Sequence, residues 1–279
     1  MGLSEKLISR AKEYAYEQID WIIHHNFRDT RGCVSLMYRG EPVYDPWMDE
    51  NGINEVDPFM YYGEKKTMEF IWKILWSRDF IYEYDHREDC NRTNCKECKY
   101  TEKCNRYLLG IKGEKPLICI GVNPSTASSE VLDPTIKTIQ RYLEKDDRYD
   151  GFIMLNIYPQ RVTNPNKMDY SMNQEIVDRN IRCIKEVLEQ YPKATIWAAW
   201  GSLIMKRPYL CECLKEIVEL SVGHQWKRRG PDSKGGHPHH PLYVSNDYEL
   251  EEYDINKYLE KLALVTRGNK VQKHGGKHD

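Results

Sequence analysis

Three short runs constrain this chain more than anything else in it. Leu117-Ile118-Cys119-Ile120-Gly121-Val122, Phe152-Ile153-Met154-Leu155 and Ala194-Thr195-Ile196-Trp197-Ala198-Ala199-Trp200 are apolar along their whole length. A strand of that kind is covered on both faces. Helical periodicity fills the gaps between them. Asp133-Pro134 opens a helix through about Leu143, with Asp as cap and Pro in the first turn. Residues 173–191 repeat Ile176, Ile181, Ile184, Val187 and Leu188 at helical spacing, and another helix covers about 203–218. Leu242-Tyr243-Val244 reads as a fourth strand and 252–263 as a last helix. Such alternation predicts a three-layer α/β/α fold around a central parallel sheet of roughly four strands. Ligands on such sheets bind outside the carboxyl ends of the strands.

The N-terminal part reads differently. Residues 4–25 are helical in pattern, with Ser4 as cap, and 64–77 form a second helix around Met68, Ile71, Trp72 and Leu75. Residues 26–62 are irregular and rich in Gly, Pro, Asp and Tyr. The expected organisation is a helical extension over 1–104, an α/β domain over 105–267 and a polar, disordered tail over 268–279.

Four of the nine cysteines crowd into the end of the extension, as Cys90-x4-Cys95-x2-Cys98-x5-Cys104. An odd count with such clustering points to metal rather than to a disulfide framework. Four thiolates suit a [4Fe–4S] cluster or a tetrahedral zinc. The C-x2-C-x5-C half resembles the cluster spacing of helix-hairpin-helix glycosylases and some nucleases, so iron–sulfur is favoured over zinc. Its expected role is to staple the extension to the α/β domain and shape a DNA-binding surface. Cys33, Cys119, Cys183, Cys211 and Cys213 read as core or incidental thiols.

Net charge is −2, so the molecule is no generic polyanion binder, and any nucleic-acid contact needs a local basic patch. No run approaches the roughly 18 apolar residues of a membrane span. The first residues lack an apolar signal core, and Lys6 stands where an acylation signal on Gly2 would need Ser or Thr. The expectation is a cytoplasmic protein with no membrane partner.

Polar residues gather at the expected strand ends. These are Gly121-Val122-Asn123-Pro124-Ser125-Thr126, then Asn156 within Met154-Leu155-Asn156-Ile157-Tyr158-Pro159, then Trp200-Gly201-Ser202. Gly236-His237-Pro238-His239-His240-Pro241-Leu242 is the fourth element. On parallel neighbours they would meet in one crevice. Amides, small hydroxyls and imidazoles there suit a small planar polar group and the breaking of a bond beside it. The plainer reading is turn chemistry, since Asn-Pro and Gly-Ser are turn formers. The segment from Trp226 to Gly236 reads as a flexible basic loop. Its Lys227, Arg228, Arg229 and Lys234 would contact DNA phosphate, with Arg161 as a further phosphate contact. The same loop could equally be a solvated one.

Asn123-Pro124-Ser125-Thr126-Ala127, Asp133-Pro134-Thr135, the Trp-Gly and the His-Pro-Leu elements resemble domain of unknown function 1643, a bacterial and phage family. The resemblance covers about residues 105–245. The order is also similar to the uracil-DNA glycosylase superfamily. There a Gly-x-Asp-Pro or Gly-x-Asn-Pro, a strand-ending Asn, a Trp-Gly and a His-Pro-Ser-Pro-Leu follow one another. That resemblance implies a DNA glycosylase-like hydrolase. Such an enzyme flips a nucleotide out of DNA and cleaves the bond between base and sugar. It implies that Asn123 positions the water, although an amide orients and polarises without taking a proton. His240 or His237 would donate to the base oxygen, and the extra residue in the motif leaves the choice open. Asn156 would read a pyrimidine edge. Gly121, Val122, Pro124, Ser125, Thr126, Tyr158, Trp200, Gly201 and Leu242 complete the base-binding set, with Leu242 either wedged into the stack or buried in the core. Ser125 and Thr126 stand where the uracil-specific branch has a bulky Tyr-His, which leaves room for a 5-substituted base. Repair and defence against modified phage DNA both fit. Two rivals belong to other classes: a non-catalytic reader of nucleic acid or of a modified nucleotide, and a nucleoside-metabolism hydrolase. Oligomeric state is not written in the sequence.

Overall fold

The computed structural model describes residues 105–127 and 132–265 with their side chains, and the backbone of the last helix to 274. Nearer the N-terminus it describes 6–7, 10–11, 13, 72, 75–76 and 79–84, with the backbone of four short strands. The cysteine segment lies outside these residues. The chain divides into two units, Met1–Asp79 with Glu144–Asp147, and Phe80–Leu143 with Arg148–Asp279.

In the first unit Leu7, Ala11, Trp72 and Leu75 are buried at the spacing that predicted two helices. Trp72 Nε1 donates to Glu144 at 2.9 Å. The span expected to be irregular holds two small antiparallel pairs. Strand β1 (Leu36–Tyr38) pairs with β2 (Glu41–Tyr44), and β3 (Met48–Asp49) with β4 (Gly52–Ile53).

The second unit is built on a seven-stranded mixed sheet. Its strands are β5 (Phe80–Tyr84), β6 (Arg106–Ile111), β7 (Pro116–Gly121), β8 (Gly151–Asn156), β9 (Thr195–Ala198), β10 (Gln225–Arg229) and β11 (Leu250–Glu252). The order is β11-β10-β9-β7-β8-β6-β5. Strands β8, β7, β9 and β10 are parallel; β11 and β6 run against them at the flanks, and β5 pairs antiparallel with β6. Two expectations are corrected here. The sheet is mixed and larger than four strands, and its fourth parallel strand is β10, not 242–244. Residues 226–229, read as a basic loop, lie in that strand because their charges are neutralised along it. Lys227 pairs with Glu252 at 3.3 Å, and Arg228 with Asp232. Residues 241–243 form a 3-10 turn opened by Pro241, which has no N–H for a ladder.

Among the described residues four helices cover the sheet: α1 (Pro134–Leu143), α2 (Gln174–Gln190), α3 (Tyr209–Leu220) and α4 (Ile255–His274). Asp133 caps α1 as its position predicts, its Oδ1 accepting from Ile136 N–H at 3.0 Å. Helix α4 carries its backbone past Gly268, where the tail was expected to begin. Alternation along the strands assigns the faces. Ile118, Ile120, Ile153, Leu155, Ile196, Ala198 and Trp226 share one core with α2, α3 and α4. The residues between them face the other way, where Tyr142 of α1 packs its ring 5.8 Å from Trp197. Cys119 lies level with Trp197 and Met154, and Gly121 with Asn156, so all five point to the α1 side.

Candidate functional site at the carboxyl edge of the sheet

Strand β8 ends in Asn156, which is wholly buried. Its main chain is pinned from behind, because Asn180 of α2 donates to its carbonyl at 2.9 Å. Its side chain is not pinned: among the described residues neither Oδ1 nor Nδ2 has a hydrogen-bond partner. A buried amide left open at both ends costs about 1–3 kcal/mol per group, which a fold rarely tolerates without a use. On the neighbouring strand, a Cβ at Gly121 would stand 3.1 Å from Asn156 Oδ1 and 2.6 Å from Met154 Cε. Only glycine leaves the amide its space.

The loop after β7 carries Asn123. Its Nδ2 donates to Pro124 O at 2.9 Å and Val162 O at 2.8 Å. Both donors are therefore spent on the main chains of the β7 and β8 loops, and Oδ1 is the end left for a ligand or water. Val122 and Pro124 are buried, Ser125 is half-buried and Thr126 exposed. Two buried arginines hold this loop. Arg161 donates to Ser125 O at 3.2 Å and Thr126 O at 3.3 Å. Arg106 donates to Ala127 O at 2.9 Å. Burial pulls the Arg106 guanidinium down to about 10, against the opposing charge of Asp133. Arg161, expected at phosphate, is thus a brace.

The His motif separates its two candidates. His237 is buried, and its Nδ1 lies 2.8 Å from Tyr258 OH. Trp200 Nε1 donates to the same oxygen at 3.1 Å. Trp can only donate, so the Tyr258 hydroxyl accepts from Trp200 while it also hydrogen-bonds His237 Nδ1. Tyr258 and Trp200 belong to the α2–α3–α4 core, so His237 is anchored on that side. His240 lies half-buried beside Gly201, whose φ of 63° favours glycine and whose Cβ would stand 3.2 Å from His240 Cβ. Its Nδ1 accepts from Leu242 N–H at 3.3 Å, which puts the ring proton on Nε2. Burial lowers the pKa of both rings. Asp232 opposes the shift at His237, and Asp133, the α1 cap, opposes it at His240. The turn that follows His240 packs against α1, on the face that bears Asn156.

The other expected site residues fall out as follows. Trp200 and Tyr158 are fully buried. The Tyr158 ring lies 4.9 Å from that of Tyr209, tilted against it, and its hydroxyl accepts from Asn173 N–H, so it packs the core below the edge. Leu242 is 41% exposed, not core. Arg229 is buried, donates from Nε to Tyr248 O at 2.7 Å, and lies 4.8 Å over the Tyr142 ring. Lys234 is exposed. Cys90, Cys95, Cys98 and Cys104 lie outside the described residues, and among the described residues no group of His, Cys, Asp or Glu could hold a metal. Cys119, Cys183, Cys211 and Cys213 are free thiols, with burial raising their pKa, to about 12 at Cys183 and about 11 at Cys211. Such thiols are inert. Among the described residues no helix is long and apolar enough to cross a membrane.

Three positions escaped the sequence reading. Asn180 interrupts the apolar stripe of α2 between Val177 and Ile184. Tyr258 sits on that of α4 between Ile255 and Leu262. A polar residue on a buried stripe is a signal that could have been read. Arg207, which donates to the carbonyls of Asn166, Met168 and Asp169, gave none.

Residues 106–242 match the family model described as protein of unknown function (DUF1643). That span runs from the first residue of β6 to the turn after His240. No curated protein matches the chain.

Proposed function

We propose that the DUF1643 region of this chain is a DNA glycosylase-like hydrolase that cleaves the N-glycosidic bond of a flipped-out, 5-substituted pyrimidine. The observation that carries the reading is the Asn156 amide, buried with donor and acceptor both open. A pyrimidine edge presents the matching acceptor and donor side by side. The order of the four motifs, similar to that of uracil-DNA glycosylases, supports the same reading.

The chemistry asks little of the residues beyond placement. As the bond breaks, negative charge gathers on the base and positive charge on the sugar. His240, neutral and protonated on Nε2, donates to the base oxygen. Asn123 Oδ1 orients water toward the sugar without taking a proton; as the C–O bond forms the water's proton passes to solvent, and the base departs as an anion that solvent reprotonates, which suits a base that leaves readily. Half-buried Ser125 and exposed Thr126 give a low wall beside the base. His237 holds the motif to Tyr258 and does not touch the base.

The test is release of base from DNA oligonucleotides carrying uracil or a series of 5-substituted pyrimidines, scored as alkali-cleavable abasic sites. Release from a 5-substituted base and not from uracil is expected. Release from none of them would end the hydrolase reading. A second reading, a non-catalytic reader of a modified nucleotide, draws on Asn123, whose amide donors serve the loop backbone. It predicts retention of bound oligonucleotide with its base intact.

We also propose that Cys90, Cys95, Cys98 and Cys104 hold a [4Fe–4S] cluster, with zinc as the alternative. Anaerobic purification with iron and zinc assays decides between them. About four irons per chain and a broad absorption near ~400 nm is the expected result. The protein is proposed to act in the cytoplasm.

A further inference from the structure

We infer that Asp133 is the anionic group of this pocket, one carboxylate oxygen capping α1 and the other holding negative charge against the sugar of the flipped nucleotide. The inference deepens the reading above and rests on it for what enters the pocket, not for where the charge lies. When the C–N bond breaks, its electron pair leaves with the base and positive charge gathers on the sugar. None of the four strand-end motifs contains an acid to meet that charge. Asn123 is neutral, and its amide donors serve Pro124 O and Val162 O.

Asp133 is 7% exposed. Its Oδ1 accepts from Ile136 N–H at 3.0 Å, which is all that a helix cap asks, and an asparagine would serve that bond equally well. Among the described residues Oδ2 has no hydrogen-bond partner, and unlike the Asn156 amide it is not sealed from solvent. The dipole of α1 steadies the carboxylate, and no salt bridge among the described residues cancels it. Arg141 turns back along α1 to Lys137 O and Thr138 Oγ1, and Lys137 is exposed. The Asp133 charge is felt on both sides of the crevice. It opposes the effect of burial on Arg106, which holds Ala127 O beyond Asn123, and on His240 in the His-Pro motif. Helix α1 packs against the turn after His240, so the contact that seats the helix also brings its cap to the base donor.

The test is binding of the full chain to oligonucleotides in which one nucleotide is replaced by a pyrrolidine abasic analogue, cationic at neutral pH, or by its uncharged tetrahydrofuran counterpart. The wild-type chain is expected to hold the pyrrolidine about tenfold or more tighter, as a cation close to a buried carboxylate should be held. Asp133→Asn keeps the cap, so its melting temperature should stay within about 2 °C. It should lose the preference for the cation, and with it about tenfold or more of the rate of base release at saturating DNA. Equal affinity of the wild-type chain for the two analogues overturns the inference, and needs no variant to fold. An Asp133→Asn variant that keeps the preference overturns it as well. Base release scored on the same samples keeps the two readings apart. A preference that depends on Asp133, without base release from any substrate, removes the hydrolase and keeps the charged pocket. Base release without such a preference does the reverse.

Discussion

The amide oxygen of Asn156 lies where a side chain on Gly121 would press on it, with 3.1 Å between Oδ1 and a Cβ built at that glycine. The two residues are level on adjacent parallel strands, so the space is set by the sheet and not by a loop. Gly121→Ala is expected to fold, since flexible Met154 Cε can give way, yet to lose most base release. Asn156→Leu keeps the branched shape and removes two open polar atoms. It should raise stability by about 1 kcal/mol while abolishing release, a trade seen where a site is kept against the interests of the fold. Thermal melts beside the abasic-site assay check both. A destabilised, fully active Asn156→Leu would deny the amide any role.

Asn123→Asp is the substitution that would install a general base if catalysis alone mattered. The geometry predicts otherwise. A carboxylate oxygen would face the carbonyls of Pro124 and Val162, which now receive two hydrogen bonds. Loss of about 2 kcal/mol or more is expected, together with slower release. Urea unfolding measures the first. A faster, equally stable variant would show that the two bonds are incidental.

Acid should weaken the fold through the histidines. Burial holds the pKa of His237 and His240 below their ordinary value of about 6.5. In the unfolded chain both rings return to that value and bind protons first. Their contribution is therefore complete above about pH 6.5 and is lost progressively as pH falls from there toward the folded-state pKa. His237→Asn, which can still hydrogen-bond Tyr258, should shrink the drop in urea midpoint between about pH 7.5 and 5.5. An equal drop in both proteins would place the acid sensitivity elsewhere.

Arg229 and Lys234 were expected to act alike at phosphate, and their surroundings separate them. Arg229→Met leaves Tyr248 O without its donor and empties a slot beside Tyr142, so about 2–4 kcal/mol of stability should go. Lys234→Ala should leave the melting temperature alone and weaken DNA binding a few-fold. The reverse pattern would put Arg229 back at the surface.

What the sequence made legible was whatever depends on burial over a continuous run. Strands β7, β8 and β9 are apolar on both faces and were read close to their true limits, as was α1 from its Asp-Pro start. Strand β10 was missed because its charges are satisfied across strands, by Glu252 and through the turn by Asp232, and pairing of that kind leaves no trace in a linear pattern. Leu242-Tyr243 misled for the converse reason. Apolar residues usually mark a core, and here Pro241 turns them outward. At the site, residue types could be named but not their side of the sheet. Asn156 and His237 look equivalent as polar strand-end residues, and only the packing of Tyr258 against Trp200 sets His237 apart.

His237 is anchored among the residues of one face and His240 among those of the other, three positions later, with Pro238 between them. Three residues of extended chain reach about 10 Å, close to the spacing of packed layers. That segment is a strap of fixed length drawn over the top of the sheet. One residue more would leave it slack and one fewer would tear an imidazole from its seat. The stretch before it, around Gly235 and Gly236, can lengthen or change at little cost, whereas Pro238-His239 is a gauge whose only tolerated setting is its present one.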